Sequence, residues 1–359
     1  MSLLCWNCRG LGNPRTVRVL HHLVKEKKPN VVFLIETLCR GNTMEKIICK
    51  LGFEGLFVVN PIGRSGGLAL LWKENLFLEI FNYSRQHINA IIRNEDGSPG
   101  WKFTGFYGFP NAARRWESWE LLRLLKTFQP SAWLCAEDFN EILDQSEKQG
   151  AALRRISQIN QFRRALEDCD LSDLGFSGPR YTWCNNKRDD NFPQERLDRA
   201  VANTEWCSRF NYVRVQVLEA ICSDHNPILI LFNDVPYETG PSRRAFKFEA
   251  KWQLDPECND ISKAAWEQEV LESNQLKDIR ARLSACQRDL TRWSKAKFRR
   301  DAELLKQKSR RLLELQGTNS PNQIEDIKQI QKDIDTFLKR SKMLMLKPHL
   351  DALTFVHVY

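Results

Sequence analysis

Residues 133–140 read Trp-Leu-Cys-Ala-Glu-Asp-Phe-Asn, an apolar run that ends in the acidic and amide side chains of Asp138 and Asn140. The run predicts a buried strand with a polar end. Three other predicted strands have similar neighbours: Asn7 follows Leu4-Cys5-Trp6, Glu36 follows Phe33-Leu34-Ile35, and Asp224-His225 precedes the last strand. Solubility alone needs only some polar residue at a strand end, whereas a metal-assisted hydrolase gathers acid and amide ligands there. The pattern therefore predicts one polar site at an open edge of a sheet.

The rest of the chain as far as Phe232 alternates short apolar runs with amphipathic segments and with glycine, proline and asparagine. We predict about ten strands with helices at intervals. Four consecutive strands with turn signals between them predict an antiparallel meander: Leu68–Trp72, Phe77–Tyr83, Ile88–Arg93 and Trp101–Tyr107. Because each sheet must cover both of its faces, we expect an α/β fold, a four-layer α/β/β/α sandwich of two mostly antiparallel sheets.

A segment rich in proline and glycine, 233–242, interrupts this pattern. We therefore predict two domains, residues 1–233 and a helical, linker-like region at 234–359. Apolar residues spaced by three and four mark two helix faces on either side of the loop 316–322, which predicts a charged α-helical hairpin. The faces comprise Ile279, Leu283, Cys286, Leu290 and Trp293, and Ile324, Ile327, Ile330, Ile334 and Phe337. The hairpin is either a spacer that packs on itself or a coil that binds a specific partner.

The composition is that of a globular protein, with 42% hydrophobic residues among 359. No apolar run approaches the roughly 18 residues needed to span a bilayer, and the start has no signal-peptide pattern, so we expect neither a transmembrane nor a secreted protein. The eleven cysteines are scattered, which indicates free thiols rather than disulfides or a closed zinc site. The net charge of +9 permits a polyanionic partner without identifying one.

Six short segments occur in an order that resembles a known family: Trp6-Asn7-Cys8-Arg9-Gly10, Leu34-Ile35-Glu36-Thr37, Gly105-Phe106-Tyr107-Gly108, Asp138-Phe139-Asn140-Glu141, Arg196-Leu197-Asp198-Arg199 and Ser223-Asp224-His225-Asn226-Pro227. Together they resemble the endonuclease/exonuclease/phosphatase superfamily. The residues of these segments are similar to those of the apurinic-endonuclease-like endonuclease domain of plant non-LTR (LINE-type) retrotransposons, over the first 233 residues. In such elements a reverse transcriptase follows the linker, so we expect a truncated copy that has no reverse transcriptase domain. The oligomeric state is not indicated.

The resemblance implies a divalent-metal site that binds Mg²⁺, with Mn²⁺ as the alternative ion. Glu36 would bind the ion and Asp224 would be the second acid of the metal site. Asn7 would reach the metal or fix Asp138. Each of these residues is also an ordinary polar residue for a strand end or a turn, which is the alternative.

The resemblance further implies a one-step attack by water on a phosphodiester, leaving a 3′-hydroxyl and a 5′-phosphate. Asp138 would orient or deprotonate the water, and Asn140 would hold that water or a phosphate oxygen. His225, oriented by Asp198, would donate a hydrogen bond to the phosphoryl oxygen. Tyr107 would contact the phosphate with its hydroxyl. Taken alone, a histidine or a tyrosine at these places is more often structural.

DNA is the expected partner, and a chromosomal substrate implies the nucleus, with the cytoplasm as the alternative. Arg154 and Arg155 precede a predicted helix and would contact phosphates. Lys187 and Arg188 lie in the loop 185–191, which resembles a hairpin that the family presses into a DNA groove. Further candidates for phosphate contacts are Arg64, Arg114, Arg115, Arg163 and Arg164. The alternative for arginine pairs on a helix is a solvated face.

Two positions depart from the family's pattern. Glu137 stands where the family usually has glycine, and Arg9 stands where related nucleases carry an acid. A side chain at position 137 would disturb the backbone, and an extra carboxylate would misplace the metal ion. We therefore expect impaired activity, and two alternatives stay open. One is a phosphatase of the same superfamily acting on inositol lipid or nucleotide phosphoesters, and the other is a catalytically inactive remnant acting at most as a binding protein.

Overall fold

The computed structural model describes residues 1–48, 51–63, 65–94, 96–97, 99–185, 193–210, 212–233, 248, 252, 255–267, 275–318 and 321–346. Arg64, Lys187 and Arg188 lie outside the described residues, as do most of the boundary segment 233–242 and the residues after 346. The chain divides into two compact units. The first unit comprises Met1–Tyr237 and Arg311–Gln331, and the second comprises Glu238–Arg310 and Lys332–Tyr359.

The described residues form fifteen strands: β1 Ser2–Asn7, β2 Val31–Ile35, β3 Gly55–Val59, β4 Leu68–Trp72, β5 Leu78–Tyr83, β6 His87–Arg93, β7 Pro99–Tyr107, β8 Trp133–Asp138, β9 Lys148–Gln149, β10 Leu171–Asp173, β11 Trp183–Cys184, β12 Gln194–Glu195, β13 Asp198–Asn203, β14 Tyr212–Val217 and β15 Ile228–Asn233. The α-helices of the described residues are α1 Pro14–Lys27, α2 Gly41–Ile48, α3 Arg115–Lys126, α4 Ile156–Asp168, α5 Thr204–Arg209, α6 Pro256–Trp266, α7 Gln275–Thr318 and α8 Ile324–Leu346. Short 3-10 helices lie at Ala112–Arg114, Gln145–Glu147 and Pro321–Gln323.

Two six-stranded sheets dominate the first unit, with the strand orders β14-β15-β1-β2-β4-β3 and β10-β13-β8-β7-β6-β5. Each sheet contains one parallel pair, β1 with β2 and β7 with β8, and its other pairs are antiparallel. The prediction of two mostly antiparallel sheets is confirmed. The predicted four-strand meander is wrong in its first member: β5, β6 and β7 form a meander, but β4 pairs with β2 and β3 in the other sheet.

Strand β8 shows why the central strands are continuously apolar. Leu134 and Ala136 face the core between the two sheets, whereas Trp133 and Cys135 face the core that α3 and α4 cover. Because successive side chains point to opposite faces, a strand buried on both sides needs an uninterrupted apolar run. Helices α1 and α2 bury their apolar residues in the same way, which completes the four layers.

The two sheets approach each other closely where Phe33 of β2 faces Gly105 of β7. A β-carbon at position 105 would lie 2.4 Å from the Phe33 ring, so this contact requires glycine. Phe33 also packs edge-to-face on Phe103, with ring centroids 6.1 Å apart. A fully buried phenylalanine contributes about 1.5–3 kcal/mol to stability. Phe33 therefore both stabilises the sandwich and fixes the register between its sheets.

The second unit is helical. Helix α6 begins with Asp255, whose side chain accepts a hydrogen bond from the Glu257 amide, and Pro256 occupies its first turn, a favoured helix start. Leu290 of the first predicted helix face is buried, but Ile279 and Leu283 of that face are exposed. Of the second face, Ile334 is buried and belongs to this unit, whereas the buried Ile324 and Ile327 belong to the first unit. Within the described residues, no helix combines the length and the apolar character that crossing a membrane requires.

Candidate active site

Strand register brings the predicted site residues to one edge of the two sheets. In the first sheet, Asn7 pairs with Ile35, so Glu36 follows directly at the end of β2. In the second sheet, Asp138 pairs with Tyr107 on one side and with Asp198 on the other. The ends of β1, β2, β7 and β8 and the start of β13 therefore meet at this edge.

Asn7 connects the two sheets. Its Nδ2 donates to Glu36 Oε1 at 3.3 Å and to Asp138 Oδ2 at 3.2 Å. The Tyr107 hydroxyl donates to the same Glu36 oxygen at 2.8 Å. Burial and the charges of Glu36 and Asp138 raise the pKa of Tyr107, so its hydroxyl remains a proton donor at neutral pH. These hydrogen bonds hold the Glu36 carboxylate in one orientation.

The buried groups of Asp138, Asp198 and His225 form a compact cluster whose ligand atoms lie within 4.8 Å of one another. His225 Nδ1 lies 3.1 and 3.0 Å from the two Asp198 oxygens, and its Nε2 lies 4.0 Å from Asp138 Oδ2. Asp198 is itself fixed, because its backbone amide donates to Thr182 Oγ1 at 2.9 Å. Asp198 therefore orients the imidazole so that Nε2 points toward Asp138.

The charges of this cluster shift the pKa values of His225 and Asp138. Burial lowers the pKa of His225, but the charges of Asp198 and Asp138 and the hydrogen bond to Asp198 outweigh it and raise that pKa to about 9. Burial and the Asp198 charge raise the pKa of Asp138 to about 7, against the lowering effect of His225. His225 is therefore cationic at neutral pH, and both of its ring nitrogens are donors. A protonated imidazole is a hydrogen-bond donor and not a metal ligand.

Asn140 and Asp224 complete the edge. The Asn140 amide donates to Asp138 Oδ1 at 2.9 Å, and its side-chain Nδ2 donates to Gly108 O at 2.9 Å. Asp224 Oδ2 accepts a hydrogen bond from Trp183 Nε1 at 3.0 Å. The loop that carries Asp224 is anchored by Ser223, whose Oγ donates to Asn7 O at 2.8 Å.

Arg9 bridges the two carboxylates predicted to belong to the metal site. Its Nε lies 3.5 Å from Glu36 Oε2, and its Nη1 lies 3.2 Å from Asp224 Oδ2. The side chain is 50% exposed, so the guanidinium stands at the mouth of the site. It places a positive charge between the two carboxylates.

The oxygen atoms at this edge fit a hard divalent cation. Asn7 Oδ1 is buried and has no hydrogen-bond partner. Among the described side chains, Glu36 Oε2 contacts the half-exposed guanidinium of Arg9. Asp224 Oδ2 contacts the same guanidinium and the Trp183 indole nitrogen. Carboxylate and amide oxygens are the ligands that Mg²⁺ and Mn²⁺ prefer. Asn7, Glu36 and Asp224 would therefore hold the ion, and Arg9 would have to yield part of its contact with the two acids.

Glu137 is the unusual residue of the site. Its φ is +112°, a region that side chains rarely adopt and that glycine adopts freely. The side chain is fully buried, and neither carboxylate oxygen makes a hydrogen bond of normal geometry. Burial and the charges of Asp198 and Asp138 raise its pKa well above the usual range. Glu137 is therefore a strained, buried acid beside the Asp138–Asp198–His225 cluster.

The residues predicted to contact DNA have different surroundings. Arg154 is only 17% exposed and its guanidinium pairs with Glu141 at 3.0 Å and with Glu195. Arg115 is also largely buried against Glu141, and Arg163 pairs with Asp144 at 3.0 Å. Arg155 is exposed at the start of α4. Of the Arg154-Arg155 pair, Arg155 is the residue whose exposure suits a phosphate contact.

Thr182 and Trp183 contact the site although the sequence analysis did not select them. Thr182 Oγ1 accepts hydrogen bonds from the amides of Leu197 and Asp198, and the Trp183 indole donates to Asp224. Both residues come from a short segment that shares no charge or spacing signal with the acids. Ser223 was within the recognised Ser-Asp-His segment, but its anchoring role follows only from the hydrogen bonds.

Acid and amide oxygens at a sheet edge, next to a cationic histidine, suit the hydrolysis of a phosphate ester in the presence of a divalent ion. The fold and the site thus define a metal-dependent phosphoesterase. The chain belongs to the endonuclease/exonuclease/phosphatase family, whose model matches residues 4–225. By its description, this family comprises endonucleases, exonucleases and phosphatases.

The chain is similar to several solved structures. The AP endonuclease LMAP from Leishmania major is 16% identical, with a TM-score of 0.50, and the match covers 64% of this chain and 86% of that chain. The endonuclease domain of TRAS1, a telomere-specific non-LTR retrotransposon, is 15% identical, with a TM-score of 0.46 and coverage of 64% and 97%. An AP endonuclease from Archaeoglobus fulgidus is 16% identical, with a TM-score of 0.48 and coverage of 65% and 99%. No curated protein matches the chain.

Proposed function

We propose that this protein is a Mg²⁺-dependent DNA endonuclease of retrotransposon origin that leaves a 3′-hydroxyl and a 5′-phosphate. The observation that carries the proposal is the convergence of Asn7, Glu36 and His225, from the strand ends and the β14–β15 loop of the first sheet, with Asp138 and Asp198 of the second sheet, through the contacts Asn7–Glu36, Asn7–Asp138 and His225–Asp198. The proposed origin in a LINE-type element of plants is supported by the residue sequences of the six motifs. A chromosomal substrate implies the nucleus as the place of action.

The residues of the chain divide the work of a single displacement, in which the water oxygen forms a bond to phosphorus, the P–O3′ bond breaks and the 3′ oxygen takes a proton from solvent. Asp138, whose pKa of about 7 suits a base at neutral pH, accepts a proton from the attacking water. Cationic His225 donates a hydrogen bond to the phosphoryl oxygen on which negative charge develops. Asn140 orients the water or a phosphate oxygen, and Tyr107 positions Glu36 and contacts the phosphate. Asn7, Glu36 and Asp224 would hold a divalent ion, which would supply Lewis-acid stabilisation of the same charge.

Nicking of supercoiled plasmid tests the proposal directly. The full-length protein is incubated with plasmid and Mg²⁺, Mn²⁺ or EDTA, beside Glu36→Ala and His225→Ala variants. We expect nicking with either ion, none with EDTA, and losses of at least about 10²-fold in both variants. The new ends should be extended by a DNA polymerase without prior treatment, because they carry a 3′-hydroxyl. Absence of nicking by the wild type with both ions rejects the proposal.

A panel of inositol phosphates and nucleotide phosphoesters separates the nuclease from the phosphatase alternative. Release of phosphate from this panel, without nicking, would assign the site to a phosphatase of the same superfamily. The catalytically silent alternative is favoured by one observation, the strained and buried Glu137. Nicking by a Glu137→Gly variant but not by the wild type would support that alternative.

A further inference from the structure

The loop between β14 and β15 carries Asp224 and His225. Its side toward the sheets is held by Ser223, which donates to Asn7 O, and by Trp6 Nε1, which donates to His225 O at 3.3 Å. The segment 182–184 also holds the loop, because the Cys184 amide donates to Asp224 O at 3.0 Å and the Asn226 amide donates to Thr182 O at 2.7 Å. The earlier part of the loop contacts a segment far away in the sequence.

That segment is the hairpin tip, which we define as Arg311–Gln331 and which belongs to the same compact unit as Met1–Tyr237. Gln316 Oε1 accepts a hydrogen bond from the Ala220 amide at 3.0 Å, and Gln316 Nε2 donates to Ala220 O at 3.0 Å. Gln331 Nε2 donates to the same carbonyl oxygen at 2.6 Å. The Gln316 amide thus pairs with both polar backbone groups of Ala220, as a neighbouring strand would.

Burial reinforces these hydrogen bonds. Ala220 is 4% exposed and Ile221 is fully buried, and a buried hydrogen bond is costly to leave unmade. Arg15, at the start of α1, donates to Ile221 O at 2.9 Å and to Gln331 O at 3.3 Å. The apolar side chains of the hairpin tip that are buried are Leu312, Leu315, Ile324 and Ile327. Helix α1, the loop and the hairpin tip therefore form one packed assembly.

We propose that Gln316 and Gln331 are positioning residues, through which the hairpin tip holds the loop Leu218–Pro227 so that His225 remains against Asp198. Ala220 lies in the same loop as His225, and Asn226, the neighbour of His225, also donates from Nδ2 to Gln316 Oε1 at 3.5 Å, so Gln316 contacts the loop next to the imidazole. A displacement of about 1 Å at a reacting group can lower a rate by roughly 10²-fold. The hairpin tip is thus part of the site's support. The proposal rests on the proposed nuclease function only for its kinetic readout.

Hydrogen exchange of the full-length protein tests the proposal without requiring activity. Gln316→Met and Gln331→Met, singly and together, keep the length and helix propensity of the side chain but remove its amide. Gln307→Met is the matched control, because Gln307 is exposed on the same helix α7. We expect backbone amides of residues 218–227 to exchange at least about fivefold faster in the double variant. Amides of β8 should exchange as in the wild type in every variant.

Nicking kinetics give the second readout. We expect the double variant to lose about tenfold or more in kcat, with an unchanged KM for plasmid, while the control variant keeps both parameters. Unchanged exchange in residues 218–227 would overturn the proposal, and so would equal acceleration in that loop and in β8. If the double variant does not fold, Gln331→Met alone gives the same comparison. A wild type that does not nick DNA rejects the proposed function, whereas the exchange data still decide the role of the hairpin tip.

Discussion

Replacing Glu137 with glycine should stabilise the protein, because glycine removes two unfavourable features of one buried position. The residue has a φ of +112°, and such strain is worth about 1–3 kcal/mol in a residue with a side chain. Its carboxyl oxygens are buried without a hydrogen bond of normal geometry, which costs about 1–3 kcal/mol. Opposing terms are the greater entropy of glycine in the unfolded chain, about 0.5–1 kcal/mol, and the loss of two packed methylenes, about 0.8 kcal/mol each.

The net expectation is a stabilisation of about 1–2 kcal/mol, or a rise in Tm of about 2–8 °C for a unit of this size. Denaturant unfolding of the wild type, Glu137→Gly, Glu137→Ala and Glu137→Gln separates the two causes. Alanine keeps the β-carbon and hence the backbone strain, whereas glutamine keeps the size and removes only the ionisable group. We expect the order of stability Gly, then Ala, with wild type and Gln below both at pH 5.

The pH dependence follows from the raised pKa of Glu137. An acid whose folded-state pKa lies above its usual value of 4.5 does not affect stability below pH 4.5 and lowers it as the pH rises above that value. The advantage of Glu137→Gln over the wild type should therefore grow between pH 5 and pH 8. A glycine variant no more stable than the alanine variant would refute the strain argument. A glutamine variant with no advantage at pH 8 would refute the ionisation argument.

Three further expectations follow from the geometry. Burial lowers the pKa of His225 and the Asp198 charge more than offsets this, giving about 9; stability from this raised pKa is complete below 6.5 and lost as the pH rises through 9. The free energy of unfolding of the wild type should therefore fall between pH 6.5 and pH 9. An Asp198→Asn variant should lack this fall, and its nicking activity should be lost at a lower pH than that of the wild type. Arg9→Gln should bind Mn²⁺ a few-fold more tightly, measured by calorimetry, because it removes a cation that is paired with two carboxylates; unchanged affinity would contradict this. Gly105→Ala should lose about 1–3 kcal/mol by overpacking, whereas Gly12→Ala, whose β-carbon would have no atom within 4 Å, should be neutral in the same denaturation assay.

The sequence could predict where the candidate site lies, because strand pairing determines which strand-end residues become neighbours. Once β1 and β2 are parallel neighbours, Asn7 and Glu36 must lie side by side, and the same holds for Tyr107 and Asp138 in the other sheet. The assignment of β4 to the meander failed for a related reason. Consecutive strands usually pair, and no local signal marks the point at which the chain crosses from one sheet to the other.

The sequence could not predict which charged side chains pair with distant residues. Arg154 looks like a free surface cation beside Arg155, yet Glu141 and Glu195 meet its guanidinium. These partners come from separate segments, and only the fold brings them together. Gln316 and Gln331 are similar, because a glutamine on a charged helix has no feature that indicates a contact with Ala220. Glu137 differs from the glycine that the resemblance implies at this position, and its positive φ gives the physical reason for a glycine there.

The formal charges at the sheet edge bear on how many metal ions the site binds. Arg9 and protonated His225 contribute two positive charges against the four carboxylates Glu36, Asp138, Asp198 and Asp224. With Asp138 in its ionised form, two negative charges remain, and these match one divalent ion. A second divalent ion would leave an excess of positive charge until a phosphate entered, and Arg9 already occupies the space between two of the acids. Titration with Mn²⁺ should therefore detect one tight site per chain and none in Glu36→Ala, and two sites of equal affinity in the wild type would contradict this charge balance.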